Sequence, residues 1–344
     1  MEPTKNKVKY TSTTIALKAI PRSWVCLQFL LLLIILFATI NTSLAGEKKI
    51  VAITAIVEHP SLVQAKNGII DELQENGYEI GKNLEIIDKN AQGAIANAIL
   101  IAKKFVAMKP DAIVPISTPS AQTVIKAAKG SGIPVIFSSV TDPVAAGIVN
   151  DLQVPLKNIT GAIDYPLIDE EVQLIQQLVP TAKNIGFLYS SGEANSVKTI
   201  ALMKKAIEGK MEYIDSQIAN SNQLTQAFIA LVGRVDVIYI PSDNTVFSAL
   251  PKLAQMSKKH KLPIFSSDPD SVKQGITACI GYTQYAVGRT AGKLLVRVLK
   301  GEENIAIERP NQAQIFINKS SADIMGIATP EKLLGIKTEI VGVK

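Results

Sequence analysis

The chain is 344 residues long, 47% hydrophobic and 5% aromatic, with 36 Lys and Arg against 30 Asp and Glu. That length holds two domains of ~100–200 residues each. From Gly46 onward 31 basic residues face 29 acidic ones, a net of +2 with no long basic run, which gives no argument for a nucleic-acid binder.

The first segment stands apart from the fold. Lys5, Lys7, Lys9, Lys18 and Arg22 precede an apolar run from Trp24 to Ile40, broken only by Gln28 and Thr39, and Ser43-Leu44-Ala45 follows. That pattern reads as a secretory signal peptide over residues 1–45, cleaved after Ala45. The alternative is an uncleaved anchor, because the run reaches the lower edge of the ~17–25 residues that span a bilayer. Of the two cysteines, Cys26 lies inside this segment and Cys279 is alone after cleavage. No intrachain disulfide is then available, no cysteine beside Ala45 offers a lipid attachment point, and Cys279 reads as a small buried hydrophobe.

From Lys49 the pattern alternates strand and helix, which points to α/β architecture with parallel sheets. Strands are expected at Lys49 to Ile56 and Leu84 to Asp88. Helices are expected from about Leu62 to Asn76, stopped by Gly77, and from about Ala94 to Met108, ended before Pro110. Further strands fall at Asn158–Asp164, Asn184–Ser190, Met211–Gln217 and Thr277–Tyr282. Helices run from Pro166 to Pro180, after Asn195 as a cap, from near Asn222, and from Tyr285 to Lys300. The tail offers one strand, Gln314 to Ile317.

One block occurs twice. Asp111 to Ile148 and Asp236 to Ile276 each run strand, small polar turn, amphipathic helix, then a strand ending Ile-Phe-Ser-Ser, and close on Asp-Pro. Ser117 falls opposite Ser242, and Thr118 opposite Asp243. Two copies imply two similar lobes, and ligands of open α/β sheets bind beyond the carboxyl ends of the strands. The repeated turns would therefore line a cleft. Strand count sends the helix after Tyr282 back to the first lobe and the tail to the second. This gives 46–163 plus 283–313 as lobe one, 164–282 plus 314–344 as lobe two, and three crossings as a hinge.

Ser117-Thr118-Pro119-Ser120 opens a helix whose free N–H groups suit a carboxylate; plain capping explains the same residues. Asp243 would cap its helix or accept a ligand ammonium. Thr141-Asp142-Pro143 and Ser267-Asp268-Pro269 match as cleft rims or as ordinary turns. Glu58-His59-Pro60 and the loop from Ser191 to Ser196 follow equivalent strands; a lone histidine such as His59 is more often packed than catalytic. Machinery for chemistry is missing from the pattern. Two histidines and no Cys/His pairs argue against zinc, no G-x-S-x-G elbow is present, and Gly288 to Leu294 is a residue short of a phosphate loop and has Leu in place of the metal-binding hydroxyl.

Together, the export segment, Val-Glu-His-Pro-Ser-Leu, Ser-Thr-Pro-Ser-Ala-Gln, Thr-Asp-Pro-Val-Ala-Ala-Gly, Asn-Ile-Thr-Gly, Gly-Glu-Ala-Asn-Ser and Pro-Ser-Asp-Asn resemble one family. It is the ABC-transporter substrate-binding proteins of the tryptophan/phenylalanine-binding type, with the type I periplasmic-binding-protein fold; the resemblance runs from about Lys49 to Leu334. It implies an extracytoplasmic, non-enzymatic receptor without cofactor or metal. As a monomer it would close on a small solute, a hydrophobic or aromatic amino acid, and deliver it to a permease driven by an ATPase. By position it implies Ser117, Thr118 and Ala121 as ligand contacts from lobe one and Glu193, Asn195, Ser196, Asp243 and Asn244 from lobe two. Thr141 and Asp142 would line the rim, and Asp164 and Tyr282 the hinge. The family usually continues from Asp164 with small polar residues, where this chain has Tyr165-Pro166-Leu167. A receptor feeding a membrane sensor, or an enzyme on the same scaffold, are the alternatives.

Overall fold

Strands buried on both faces read as unbroken apolar runs, and the computed structural model has them where those runs lie. It describes residues 48–154 and 156–342; the export segment with Cys26 lies outside the described residues. Sheet one contains β1 (Lys49–Ala55), β2 (Leu84–Asn90), β3 (Ala112–Ile116), β4 (Val135–Val140) and β5 (Ile159–Ile163), in the order β2-β1-β3-β4-β5. Its pairings are all parallel, and every residue of β3 and β4 is buried. Helix α1 (Pro60–Glu75) covers one face, α2 (Ile95–Met108) and α3 (Thr118–Ala128) the other.

Chain order then builds lobe two: α4 (Ile168–Leu178), β6 (Asn184–Ser190), α5 (Ala194–Ala206), β7 (Glu212–Ile218), α6 (Leu224–Ile229) and β8 (Val237–Ile240). After these come α7 (Asn244–Phe247), α8 (Leu250–His260), β9 (Ile264–Ser266), α9 (Pro269–Val272) and β10 (Ala278–Gly281). Helix α10 (Gln284–Leu299) returns to lobe one and packs on α1. The chain then runs beside β5, where Ile163 N–H donates to Glu308 at 2.9 Å. It returns to lobe two as β11 (Gln314–Asn318), α11 (Lys319–Met325), β12 (Lys332–Leu333) and β13 (Ile336–Val341). The chain thus crosses between sheets three times.

Three expectations are corrected. Sheet two, ordered β12-β13-β11-β10-β9-β8-β6-β7, is mixed rather than parallel, because β11 runs antiparallel to β10. The tail holds three strands and a helix, not one strand; β12 and β13 form a hairpin across Leu334 and Gly335, both at positive φ (49° and 77°), as a two-residue turn of the right twist requires. The helix of the second repeat copy is broken into α7 and α8. Pro251, at the start of α8, cannot donate to the carbonyl of Phe247, where α7 ends, so the ladder stops there.

Helices α1 and α10 meet backbone to backbone. A Cβ on Gly68 would overlap the Tyr285 carbonyl oxygen, and one on Gly288 the Ala65 carbonyl oxygen. Only glycine permits that approach. Arg289 ties the seam at its solvent side, pairing with Glu72 at 2.7 Å and Glu75 at 2.5 Å.

Candidate ligand-binding cleft

The carboxyl ends of both sheets converge on a cavity of about 20 Å³, little more than one water's room. It is lined by His59, Ser61, Leu62, Ser117, Thr118, Ser139, Thr141, Asp164, Asn195, Ser242, Asn244, Phe247, Asp268 and Gln284. A larger hollow of about 590 Å³, lined by Gly130, Pro134, Asn158 and Glu303, lies at the amino ends of β4 and β5, the side where open α/β sheets do not bind.

Lobe one supplies the start of α3. Ser117 sits at φ 83° and Ser139 at φ 57°, backbone conformations that are uncommon for non-glycine residues. No side chain caps α3, so its start, whose Ser117 and Thr118 line the cavity, keeps the partial positive charge of a helix N-terminus. The Thr118 hydroxyl is buried and unpartnered. Ordinary capping, the simpler reading of this turn, does not occur.

Lobe two is organised by two buried carboxylates. Glu193 accepts from Asn244 N–H at 3.1 Å, Asn244 Nδ2 at 2.5 Å, Asn195 Nδ2 at 3.3 Å, and Thr245 N–H and Oγ1 at 2.8 Å each. Asp243 accepts from Ser190 N–H and Ser196 Oγ at 2.6 Å and from Val246 N–H at 2.8 Å, capping α7. Burial, then the Glu193 charge, push the Asp243 carboxyl above its ordinary range. Both carboxylates are spent on the lobe itself. Asn195 sits one residue inside α5 and does not cap it; its Nδ2 donates to Ser242 O at 2.7 Å, and its Oδ1 has no partner.

The floor is a hinge network. Gln284, the first residue of α10, accepts from Ser139 Oγ at 2.6 Å and donates to Asp164 at 2.9 Å, and its N–H donates to Asp270 at 3.0 Å. Loss of water raises the Asp164 carboxyl against the hydrogen bonds from Gln284 and Thr141. Asp268 caps α9; burial and the adjacent Asp270 charge raise its carboxyl. At the rim Lys198 Nζ of α5 reaches Asp142 at 3.6 Å, across the cleft.

Of the twelve residues expected to hold a ligand, Ser117, Thr118, Thr141, Asp164, Asn195 and Asn244 line the cavity. The rest sit elsewhere, for identifiable reasons. Ala121 packs against Phe137 and Val140 in the lobe-one core, and Tyr282 is in the core under α1. Ser196 and Glu193 serve the lobe-two frame, Asp243 is fully buried with its oxygens engaged, and Asp142 pairs with Lys198. The ammonium-accepting role considered for Asp243 is therefore revised: of the carboxylates on the repeat, Asp268 faces the cleft. His59, Leu62, Phe247 and Gln284 also line it. A lone histidine and a helix-starting glutamine carry no periodic signal, whereas the match of Asp268 to Asp142 across the two copies was legible.

Three buried side-chain polar atoms without a hydrogen-bond partner among the described residues belong to this one cavity, His59 Nδ1, Thr118 Oγ1 and Asn195 Oδ1, beside Ser61, whose hydroxyl serves Asp268. Buried polar groups are partnered in the great majority of cases, so this clustering marks a site that awaits hydrogen-bonding groups from elsewhere. No cluster of three or more His, Cys, Asp or Glu able to hold a metal exists among the described residues.

The family model for ABC transporter substrate binding proteins matches residues 50–341. A tyrosine-binding protein of Clostridioides difficile (strain R20291) is 38% identical over 278 residues, 80% of each chain. An ABC domain from Streptococcus pneumonia in complex with L-Trp is 32% identical with a TM-score of 0.81, over 86% of this chain and all of that one. A ligand-free, open substrate binding protein with adhesive properties from Clostridium difficile is also 32% identical, but its TM-score is 0.64, over 84% of this chain and 98% of that one. The chain belongs to the ABC transporter substrate-binding protein family, with the type I periplasmic-binding fold. At equal identity and near-equal coverage it superposes better on the ligand-bound relative than on the open one, in keeping with lobes that stand closed on a small cavity.

Proposed function

We propose that the protein is the extracytoplasmic solute receptor of an ABC importer, closing on an aromatic amino acid and handing it to the membrane permease. The observation that carries this is the cluster of unpartnered polar atoms, together with the charge that flanks them. Lobe one offers the uncapped start of α3 and the Thr118 hydroxyl, which suit an α-carboxylate. The opposite side offers Asp268 and Asn195 Oδ1, both acceptors. An ammonium placed there relieves the cost of keeping Asp268 ionised where burial disfavours it. Leu62, His59 and Phe247 form the apolar part of the wall. The relatives' ligands, tyrosine and tryptophan, carry the same three parts, a carboxylate, an ammonium and a ring, and the lobes must part from the cavity of about 20 Å³ to admit one.

In this reading residues 1–45 direct export and are removed. Lobe one is 46–163 with 283–313, lobe two is 164–282 with 314–344, and the monomer suffices because one chain supplies both walls. Ligand contacts to both walls shift an open population to the closed one. The test is thermal unfolding of the protein with L-tryptophan, L-tyrosine and L-phenylalanine, with myo-inositol as the contrasting solute. A ligand of the folded state raises the melting temperature by mass action. A rise with the amino acids supports the proposal; a rise with the polyol alone overturns the amino-acid cleft.

A further inference from the structure

The aromatic wall holds one polar atom that packing does not explain. His59 precedes α1 and is 5% exposed. Its ring meets Phe247 of the other lobe edge to face, centroids 5.7 Å apart, and its Nε2 lies 3.4 Å from Asn244 Oδ1. The direction of that hydrogen bond is fixed from behind. Asn244 Nδ2 donates to Glu193, so the amide presents its oxygen to the imidazole. An oxygen can only accept, so Nε2 carries the proton and Nδ1 is a bare lone pair. Burial holds the ring pKa down to about 4, so the imidazole is neutral at physiological pH and Nδ1 stays an acceptor. That atom is buried and unpartnered beside the apolar wall of the cleft.

We infer that His59 is the specificity-determining residue: Nδ1 accepts a hydrogen bond from the side chain of the bound amino acid, selecting aromatic side chains that carry an O–H or N–H over those that do not. Glu193 acts as a positioning residue at one remove, through Asn244. The inference rests on the amino-acid reading above and narrows it to phenol and indole side chains. A site built to pair a polar group rejects an analogue lacking it, because the protein atom is then left buried and unsatisfied.

The experiment is calorimetric titration of the protein with L-tyrosine, L-phenylalanine, L-tryptophan and 1-methyl-L-tryptophan, repeated with His59→Phe. That variant keeps an aromatic ring against Phe247 and removes both nitrogens. Tyrosine is expected to bind about 10- to 100-fold more tightly than phenylalanine, and tryptophan to exceed its N-methyl analogue similarly. In His59→Phe the tyrosine-to-phenylalanine ratio should fall to within about threefold while phenylalanine still binds. Equal affinities in the unaltered protein, or a ratio that survives in His59→Phe, overturn the role of His59 and leave the receptor reading intact. Silence from all four ligands overturns both. Should His59→Phe fail to fold, the two ratios in the unaltered protein decide alone.

Discussion

The two copies of the repeat, Asp111 to Ile148 and Asp236 to Ile276, begin alike and end with opposite tasks. In the first, the turn after β3 leaves its helix uncapped, holds Ser117 at positive φ and keeps the Thr118 hydroxyl unpartnered in the cleft. In the second, Asp243 stands in the place of Thr118, caps α7 and binds β6 and α5 through Ser190 and Ser196. One turn keeps its hydrogen-bonding capacity for a ligand; the other spends it inside the lobe. The difference extends along the strand. Val114 of the first copy packs in an apolar core, whereas its counterpart Tyr239 donates to Glu171 at 2.5 Å and meets Ser267 at 3.0 Å. Homologous position therefore does not transfer a role, because a single carboxylate changes which groups remain free.

The sharpest way to break this comparison is Asp243→Ala. It leaves three donors without their acceptor and should cost about 3 kcal/mol in denaturant unfolding. If stability holds and only ligand affinity falls, Asp243 belongs to the site and the contrast fails. Next is Glu171→Gln. Burial raises the Glu171 carboxyl to about 8, while in the unfolded chain it ionises near its ordinary value of about 4.3. The folded state thus holds a proton that the unfolded state has lost, and stability falls as pH rises from that value through about 8. Gln removes the dependence, so the variant should match the parent at pH 4 and exceed it by about 4 to 5 kcal/mol at pH 8. A constant difference between the two pH values would mean that Glu171 is ionised in the fold.

Thr118→Val sharpens the first copy's side. It should weaken amino-acid binding about tenfold in calorimetry and leave stability unchanged or slightly higher, since the hydroxyl it removes has no partner. A loss of stability with full affinity would make Thr118 a structural residue like Asp243. The smallest effect belongs to the rim. Lys198→Ala removes a half-exposed, 3.6 Å pair across the cleft and should weaken binding two- to threefold at low salt, vanishing near 1 M salt. An effect that persists at high salt would make Lys198 a ligand contact instead.

Much of the fold could be read from the chain, because strands such as Ala112–Ile116 are apolar throughout and Pro119 and Gly77 punctuate helices where they should. The tail hairpin escaped because β13 lies near a sheet edge, with Lys337 and Glu339 exposed and only Thr338 fully buried; its alternation carries too little apolar contrast. The polar turns of the cleft were legible as turns. Which atoms within them stay free was not. That depends on contacts between residues some 50 to 185 positions apart, such as Ser190 to Asp243 or His59 to Asn244, and no local pattern encodes them. Gln284 likewise reads as an ordinary helix-starting residue until three crossings bring Ser139, Asp164 and Asp270 around it.

The glycine seam between α1 and α10 bears on how such a receptor moves. Side chains at a helix interface can slide and repack; main chains in direct contact leave almost nothing to yield, and a packed interior compresses little. Helix α10 begins at the hinge with Gln284, and α1 begins with His59 before its first turn. A rotation at the hinge therefore carries both as one stiff unit, with Gln284 and His59 side by side at its cleft end. The residue that meets the cargo and the joint that shuts the jaw answer to the same arm.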